Sequence, residues 1–299
     1  MHFAARYLVR VTELSIVVPT YNTAELTLRC CRAALAAMPP SSELIVVDDG
    51  SSDDTAELLA REVPSARVVR LAANGGFAVA ANRGVAEARG SIVLLLNSDA
   101  IVDVVALRAM LEAFAADAKL GVAGAALLDE DETPQWSGGR TPTLLWLAAV
   151  VSGAGAFVSR GRRRGGGERL RRDVDWVSGA AMAFRREVWS AAGPLDERFR
   201  FYCQDLAFCL AARDAGWQVR IVPEARVIHA RGATIAPGDS LHHDPERLWL
   251  DLLDWGRARY GRAWSALARV VLIAAAWARV AARGFKRDAV FRAARALSR

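Results

Sequence analysis

Three short polar clusters in this 299-residue chain carry side chains that could do chemistry together. The first is Pro19-Thr20-Tyr21-Asn22, the second Asp48-Asp49-Gly50-Ser51-Ser52, the third Asn97-Ser98-Asp99. An aromatic ring such as Tyr21 can stack on a nucleobase. A carboxylate at Asp48 or Asp49 can accept from a base N–H, and Asp99 can hold a cation. Each cluster also has a plainer explanation, since Asn22 or Thr23 can cap a helix and Asp-Gly-Ser-Ser is ordinary turn chemistry. What sets them apart is position: each closes a short run rich in Val, Ile and Leu.

Those runs are LSIVVP, ELIVVD and SIVLLLN, and ARVVRL and GVAGAAL are of the same kind. Brief, apolar and bounded by turn residues, they read as buried strands. Helical patterns lie between them over residues 24–37, 53–62, 77–89 and 103–117. Strands and helices alternating at this spacing predict βαβ crossovers, hence an α/β fold on a mostly parallel sheet flanked by helices. Such sheets bind ligands at the carboxyl ends of their strands, and a parallel sheet brings all three clusters to one edge.

After Leu127 the rhythm breaks. Residues 129–136 are polar, Gly138-Gly139 marks a turn, and residues 159–172 form a Gly-rich stretch with seven arginines that reads as a loop. Order resumes over 174–184, with a helix near 203–215 and a strand at 218–222. Beyond Arg247 the pattern is helical to the end.

With 53% hydrophobic residues, the chain can bury a substantial core. Its four cysteines form no CxxC pair and have no accompanying His cluster, which argues against a zinc site or disulfide framework and for a reducing, cytoplasmic setting. The first fourteen residues lack the apolar core and cleavage site of a secretory signal. No apolar run reaches the roughly 18–20 residues of a bilayer span. From Arg257 onward eleven basic residues face a single acid, Asp288. The net +6 of the chain therefore belongs to its tail, and the rest is acidic overall. No nucleic-acid partner is expected, because the positive charge lacks interleaved aromatics or a known motif. A Rossmann-type dehydrogenase is disfavoured because the first strand lacks GxGxxG.

The strings IVVPTYN, IVVDDGSSDDT, NGGFAVAANRG and LLLNSDA, in this order, resemble glycosyltransferase family 2, which has the Rossmann-like GT-A fold. The downstream string VSGAAMAFRREVWSAAGPLDERFRFYCQDLAFCLAARDAGW, followed by VIHARGAT, is similar to its rhamnosyltransferase-like branch. The resemblance implies a GT-A domain over residues 14–234, divided into a nucleotide-binding half (14–127) and an acceptor half (128–234). A short extension (1–13) precedes it and a basic helical region (235–299) follows. Tyr21, Asp48 and Asp49 would hold the nucleobase, with Pro19, Thr20 and Asn22 shaping its pocket. Asn74-Gly75-Gly76-Phe77 would lead into a helix carrying Asn82, its glycines allowing close backbone approach and its N-terminus favouring anionic groups. A plain turn before a helix explains the glycines equally well.

The resemblance further places Asn97-Ser98-Asp99 at the family's metal motif. Asp99 would bind Mg²⁺ or Mn²⁺, Asn97 or Ser98 would contact ribose or a metal-bound water, and His229 would reach the metal. A histidine following a strand is otherwise usually structural. The family's general base, the aspartate of a Glu-Asp pair heading a helix, falls on Asp205; taken alone, Asp205 is equally a helix N-terminal acid. A cation would neutralise the departing nucleotide diphosphate, and the base would take the proton of the attacking hydroxyl. The implied activity is inverting, metal-dependent transfer of a sugar to a lipid-linked or polysaccharide acceptor in bacterial cell-envelope synthesis. The implied donor is dTDP-rhamnose, or next a UDP-sugar. The chain departs from the branch at Gln204, Ala207 and Ala211, where a Glu, an Asp and an Arg are usual. A catalytically impaired sugar-nucleotide-binding partner is therefore the alternative.

The arginine-rich 159–172 stretch suits the phosphates of a lipid diphosphate, or is a solvated loop. In the last helix Arg262, Arg269 and Arg283 share a face, opposite Trp264, Leu267, Val271 and Ala278. Such a helix can lie on an anionic membrane surface at the inner face of the plasma membrane, dock on the catalytic domain, or pair with a second subunit in a homodimer.

Overall fold

A computed structural model describes residues 14–152, 173–199, 202–230 and 245–283. The arginine-rich 159–172 stretch, residues 231–234 of the VIHARGAT string and residues 284–299 lie outside the described residues.

The first half is built as the alternation predicts. Strands β1 (Leu14–Thr20), β2 (Glu43–Asp48), β3 (Arg67–Arg70) and β4 (Ile92–Leu96) alternate with helices α1 (Ala24–Ala37), α2 (Thr55–Glu62) and α3 (Phe77–Glu87). They pair in parallel in the order β3-β2-β1-β4. Then come β5 (Ala100–Ile101), α4 (Val104–Ala116), β6 (Leu120–Leu128), β7 (Gly138–Gly139) and α5 (Leu144–Ser152). Next are β8 (Trp176–Val177), β9 (Ala181–Arg185), α6 (Arg186–Ala192), α7 (Gln204–Asp214) and β10 (Gln218–His229). The chain's described part closes with α8 (Pro245–Tyr260) and α9 (Arg262–Arg283). The sheet continues past β4 as β9-β6-β10-β5, with β9 antiparallel to both its neighbours and β6 parallel to β10. One sheet thus carries strands from both halves of the sequence.

The central strands are apolar without alternation because both faces are covered. Ile16, Val18, Leu44, Val46 and Leu94 pack on Cys30 and Cys31 of α1, Leu59 of α2 and Leu107 of α4. The intervening Val17, Ile45, Val47, Val93 and Leu95 share the opposite layer with Ala81 of α3, Phe208 of α7, Trp249 of α8 and Leu272 of α9.

Two boundaries differ from the sequence expectation for physical reasons. Helix α2 begins at Thr55 rather than residue 53, because the Asp53 carboxylate accepts from the Thr55 N–H (3.2 Å) and hydroxyl (2.5 Å) and so stays outside the first turn. Strand β10 is more than twice as long as expected. Its pairing with β6 slips between Val222 and Arg226, where Pro223 lacks an N–H, and then resumes to Ile228. That extension sets His229 opposite Ala100.

The last helix also differs. A break at Gly261 (φ 89°) folds α9 back along α8, and α9 packs on α5 as well. Its docking face is the small-residue side, with Ala268, Leu272, Ala275 and Ala276 buried, because short side chains let the helices approach closely. Trp264 lies over Gly256 and packs against Trp255 and Tyr260. The single apolar face expected for Trp264, Leu267, Val271 and Ala278 is therefore split. Leu267 and Ala278 stand exposed, and with Val270 and Ala274 they form a second apolar stripe, beside which Trp277 is 42% exposed. No helix among the described residues is long and apolar enough to cross a membrane.

Candidate active site

The carboxyl ends of β1, β2 and β4 meet through hydrogen bonds rather than mere proximity. After β1 the chain turns through Tyr21 (42% exposed) and Asn22, whose φ of 52° is left-handed. The Asn22 N–H donates to Ser51 Oγ (2.9 Å), and Asn22 Oδ1 accepts from the Ser52 N–H (2.8 Å). Asn22 therefore staples the first loop to the second and holds Tyr21 beside it. Beneath them, Thr20, Thr23 and Thr27 share a buried cluster of hydroxyls at 2.6–3.1 Å, which reaches Ser98 Oγ at 3.3 Å.

The acidic pair divides its work. Asp48 is fully buried and accepts from the Ser51 N–H (2.9 Å), with Arg70 Nε 3.4 Å away. It is fully covered and fastens its own loop. Asp49 accepts from the Gly75 N–H (2.9 Å) with one oxygen and from the Gly76 N–H (2.8 Å) with the other. The backbone amides expected to favour an anionic ligand at the start of α3 already hold an anion, and it is Asp49. Gly50 permits this closure: its φ is 73°, and a Cβ there would lie 2.8 Å from the Ala73 carbonyl carbon. Asn74 is exposed beside this junction, and Phe77 is half-buried.

Two further residues do something other than expected. Asn82 donates to the Leu195 carbonyl (2.9 Å) and to Glu197 (2.9 Å), and accepts from the Leu195 N–H (2.9 Å). With both ends of its amide engaged, it tethers the 195–197 segment. Ser98 is 3% exposed and turned into the threonine cluster, away from any ribose.

Asp205 opens α7, which follows a left-handed Cys203 (φ 70°). Its carboxylate accepts from the Gly179 N–H (3.0 Å) and the Leu206 N–H (2.7 Å). Burial pushes its pKa above the ordinary carboxylate value, outweighing the lowering by those two N–H donors. A Cβ on Gly179 would sit 3.6 Å from Asp205 Cβ and 3.7 Å from the Phe77 ring. Phe77 follows the glycines that hold Asp49, so the loop carrying Gly179 joins Asp205 to the head of α3. Gln204 is buried next to Asp205, and Ala207 and Ala211 lie one turn apart on the same helix.

Asp99 follows the carboxyl end of β4. Asn97 joins this region to the Gly179 side, its N–H donating to the Ala180 carbonyl (2.9 Å). Asp99 is 4% exposed, and neither carboxylate oxygen meets a hydrogen-bond donor among the described residues. His229 Nε2 lies 3.3 Å from Asp99 Oδ1 and 3.2 Å from Asn97 Nδ2. A buried carboxylate without donors is costly unless a cation meets it. One carboxylate and one imidazole suit a divalent ion whose other positions go to substrate oxygens. No set of three metal-ligating side chains occurs among the described residues, so substrate would have to supply the remainder.

Sequence reasoning missed Gln135 and Gly179. Gln135 sits in a polar stretch with no distinctive spacing. A turn through residues 129–132, with Glu132 in the left-handed region, brings it back beside β6, where its N–H donates to the Leu127 carbonyl (2.8 Å). Gly179 stands inside a quoted motif, but only the folded backbone aims its N–H at Asp205.

A mostly parallel sheet covered on both faces, with polar loops at the carboxyl ends of its strands, has the architecture of a GT-A-type transferase domain. Residues 15–191, more than half the chain, match the family Glycosyl transferase family 2, and the chain belongs to that family as a glycosyltransferase. It is 26% identical over 208 residues to N-acetylglucosaminyl-diphospho-decaprenol L-rhamnosyltransferase of Mycobacterium tuberculosis, covering 64% of this chain and 67% of that one. Among solved structures it is similar to the mannosyltransferase PcManGT of Pyrobaculum calidifontis in complex with GDP-Man and Mn2+. The TM-score is 0.58 at 19% identity, covering 91% of this chain and 75% of that one. It is also similar to S. aureus TarS 1-349, with a TM-score of 0.55 at 15% identity, covering 92% and 73%. The GT-A fold and the rhamnosyltransferase-like branch stand on these likenesses together.

Proposed function

We propose that this glycosyltransferase is an inverting, divalent-metal-dependent enzyme. Asp205 takes the proton of an acceptor hydroxyl while the sugar leaves its nucleotide diphosphate. The observation that carries the reading is the contrast between two buried carboxyl environments. Asp99 is buried without donors beside an imidazole, and Asp205 is pushed toward a higher pKa at a helix head. The first asks for a cation; the second takes up a proton more readily than an ordinary carboxylate. When bound, Mg²⁺ or Mn²⁺ held by Asp99 and His229 would offset the charge on the departing diphosphate. Tyr21 stacks on the base, Asp49 accepts from it, and Pro19, Thr20 and Asn22 frame the pocket. Asn97, Asn74, Phe77 and the Gly75-Gly76 backbone line the sugar and phosphate side.

The mycobacterial likeness favours dTDP-rhamnose as donor and a lipid-linked or polysaccharide acceptor in cell-envelope glycan synthesis, with UDP-sugars next. A cytoplasmic enzyme at the inner membrane face fits such an acceptor. The exposed stripe of α9, which carries no acidic residue and is edged by Arg262, suits an anionic lipid surface. Gln204 and Ala207 favour a second reading, a donor-binding but catalytically impaired partner. Transfer or donor hydrolysis by the purified chain with Mn²⁺, screened over dTDP-rhamnose and UDP-sugars, separates the two. Under the first reading, Asp205→Asn lowers turnover by about a hundredfold to ten-thousandfold. Unchanged turnover in that variant removes Asp205 from the mechanism.

A further inference from the structure

Behind His229 lies a group that neither the motifs nor the likenesses point to. Gln135 is 8% exposed, and its side-chain amide is surrounded by unlike partners. Its Nε2 lies 2.6 Å from the His229 carbonyl, 2.8 Å from Asp129 Oδ1 and 3.2 Å from the Leu128 carbonyl. All three are acceptors, so this end of the amide must be the NH₂ and the other end the oxygen. That oxygen lies 2.9 Å from His229 Nδ1. An oxygen only accepts, so Nδ1 carries the hydrogen, and the neutral ring keeps a bare Nε2. The bare nitrogen faces Asp99 Oδ1 at 3.3 Å.

We propose that Gln135 is a positioning residue, which locks His229 in the Nδ1–H tautomer and so turns an unprotonated Nε2, which accepts from the Asn97 amide at 3.2 Å until a cation displaces it, toward the place of a divalent cation beside Asp99. The inference rests on the metal reading given above and deepens it. The same amide also fixes where the ring stands. It donates to the His229 carbonyl and so clamps the end of β10 to the turn after β6, leaving the imidazole little freedom to rotate away. An outer partner that sets tautomer and orientation typically contributes about ten- to a hundredfold in metal affinity.

The test uses the full chain. In metal-free protein labelled with ¹⁵N-histidine, the ring couplings of His229, one of four histidines, identify which nitrogen bears hydrogen. The His229→Ala variant assigns the signals. Wild type is expected to show Nδ1–H. Gln135→Leu should lose that preference and bind Mn²⁺ about ten- to a hundredfold more weakly, read from the electron paramagnetic resonance of free Mn²⁺ during titration. Gln135→Glu, which keeps an oxygen facing Nδ1, should retain the tautomer and bind Mn²⁺ better than Gln135→Leu.

A merely structural glutamine would lower the melting temperature and leave tautomer and Mn²⁺ affinity as they are. The inference is overturned if wild-type His229 carries its hydrogen on Nε2, a measurement that needs no variant to fold. It is also overturned if Gln135→Leu binds Mn²⁺ like wild type while His229→Ala does not, and in that case the metal reading survives. If His229→Ala itself binds Mn²⁺ like wild type, the imidazole is no ligand and both fall.

Discussion

Asp205 is where one side chain's environment sets a measurable pH dependence. Burial raises its native-state pKa above that of the unfolded chain. The ionised form is the one that accepts a proton, so turnover should fall on the acid side as pH drops through that raised value, and kcat against pH reads the limb directly. Stability runs the other way. Between the unfolded and the native pKa the folded protein holds a proton that the unfolded chain has lost. The contribution of Asp205 is therefore fullest below the unfolded value and is lost as pH rises through the native one. Asp205→Asn should accordingly lose turnover while its melting temperature at neutral pH changes little, and thermal melts at acid and neutral pH check the sign. Asp99 contrasts with it, since its oxygens have no donors to lose and its replacement should show in Mn²⁺ binding before it shows in stability.

The loops between elements decide which polar atoms remain available. Gly50 lets the turn after β2 close on the backbone of Ala73, and Asp49 then fastens that turn to the head of α3. Gly50→Ala places a Cβ against backbone at a left-handed φ, so a loss of about 1 kcal/mol or more is expected in denaturant unfolding, with weaker donor binding. Asn82 works from the body of α3 and holds the 195–197 segment by three hydrogen bonds. Asn82→Ala should cost about 1–3 kcal/mol of stability, because the Leu195 backbone groups lose their partner. Its donor affinity, measured by titration calorimetry on the folded variant, should stay near wild type. A large loss of donor affinity without loss of stability would return Asn82 to the binding site.

At the scale of the whole molecule, α9 carries apolar side chains on two sides. One side is spent on α5 and α8 through Ala268, Leu272, Ala275 and Ala276. The other exposes Leu267 (52%), Val270 (61%) and Trp277 (42%). If that stripe lies on a lipid surface, the triple substitution Leu267→Ser, Val270→Ser, Trp277→Ser should lower co-sedimentation with phosphatidylglycerol vesicles by about tenfold or more and leave the fold intact. Phosphatidylcholine vesicles should bind the wild type far less. Unchanged vesicle binding, or self-association that the triple variant abolishes, would assign the stripe to a second copy instead.

The linear chain was enough to place nearly every strand and helix of the first half, because apolar runs covered on both faces and helical periodicity are local properties. It also pointed to the edge where Tyr21, Asp49 and Asp99 follow β1, β2 and β4, since parallel strands put their carboxyl ends together. What it could not tell was which polar atoms the protein would use on itself. Asp49 meets Gly75 across 26 positions, His229 meets Gln135 across 94, and Asn82 meets Leu195 across 113. Asp48, Asn82 and Ser98 look like binding residues in the chain and make hydrogen bonds within the protein once folded, while Gln135, with no distinctive spacing in the chain, meets His229. Hydrogen-bond partners that far apart are chosen by tertiary packing, which alone determines what is left facing the crevice.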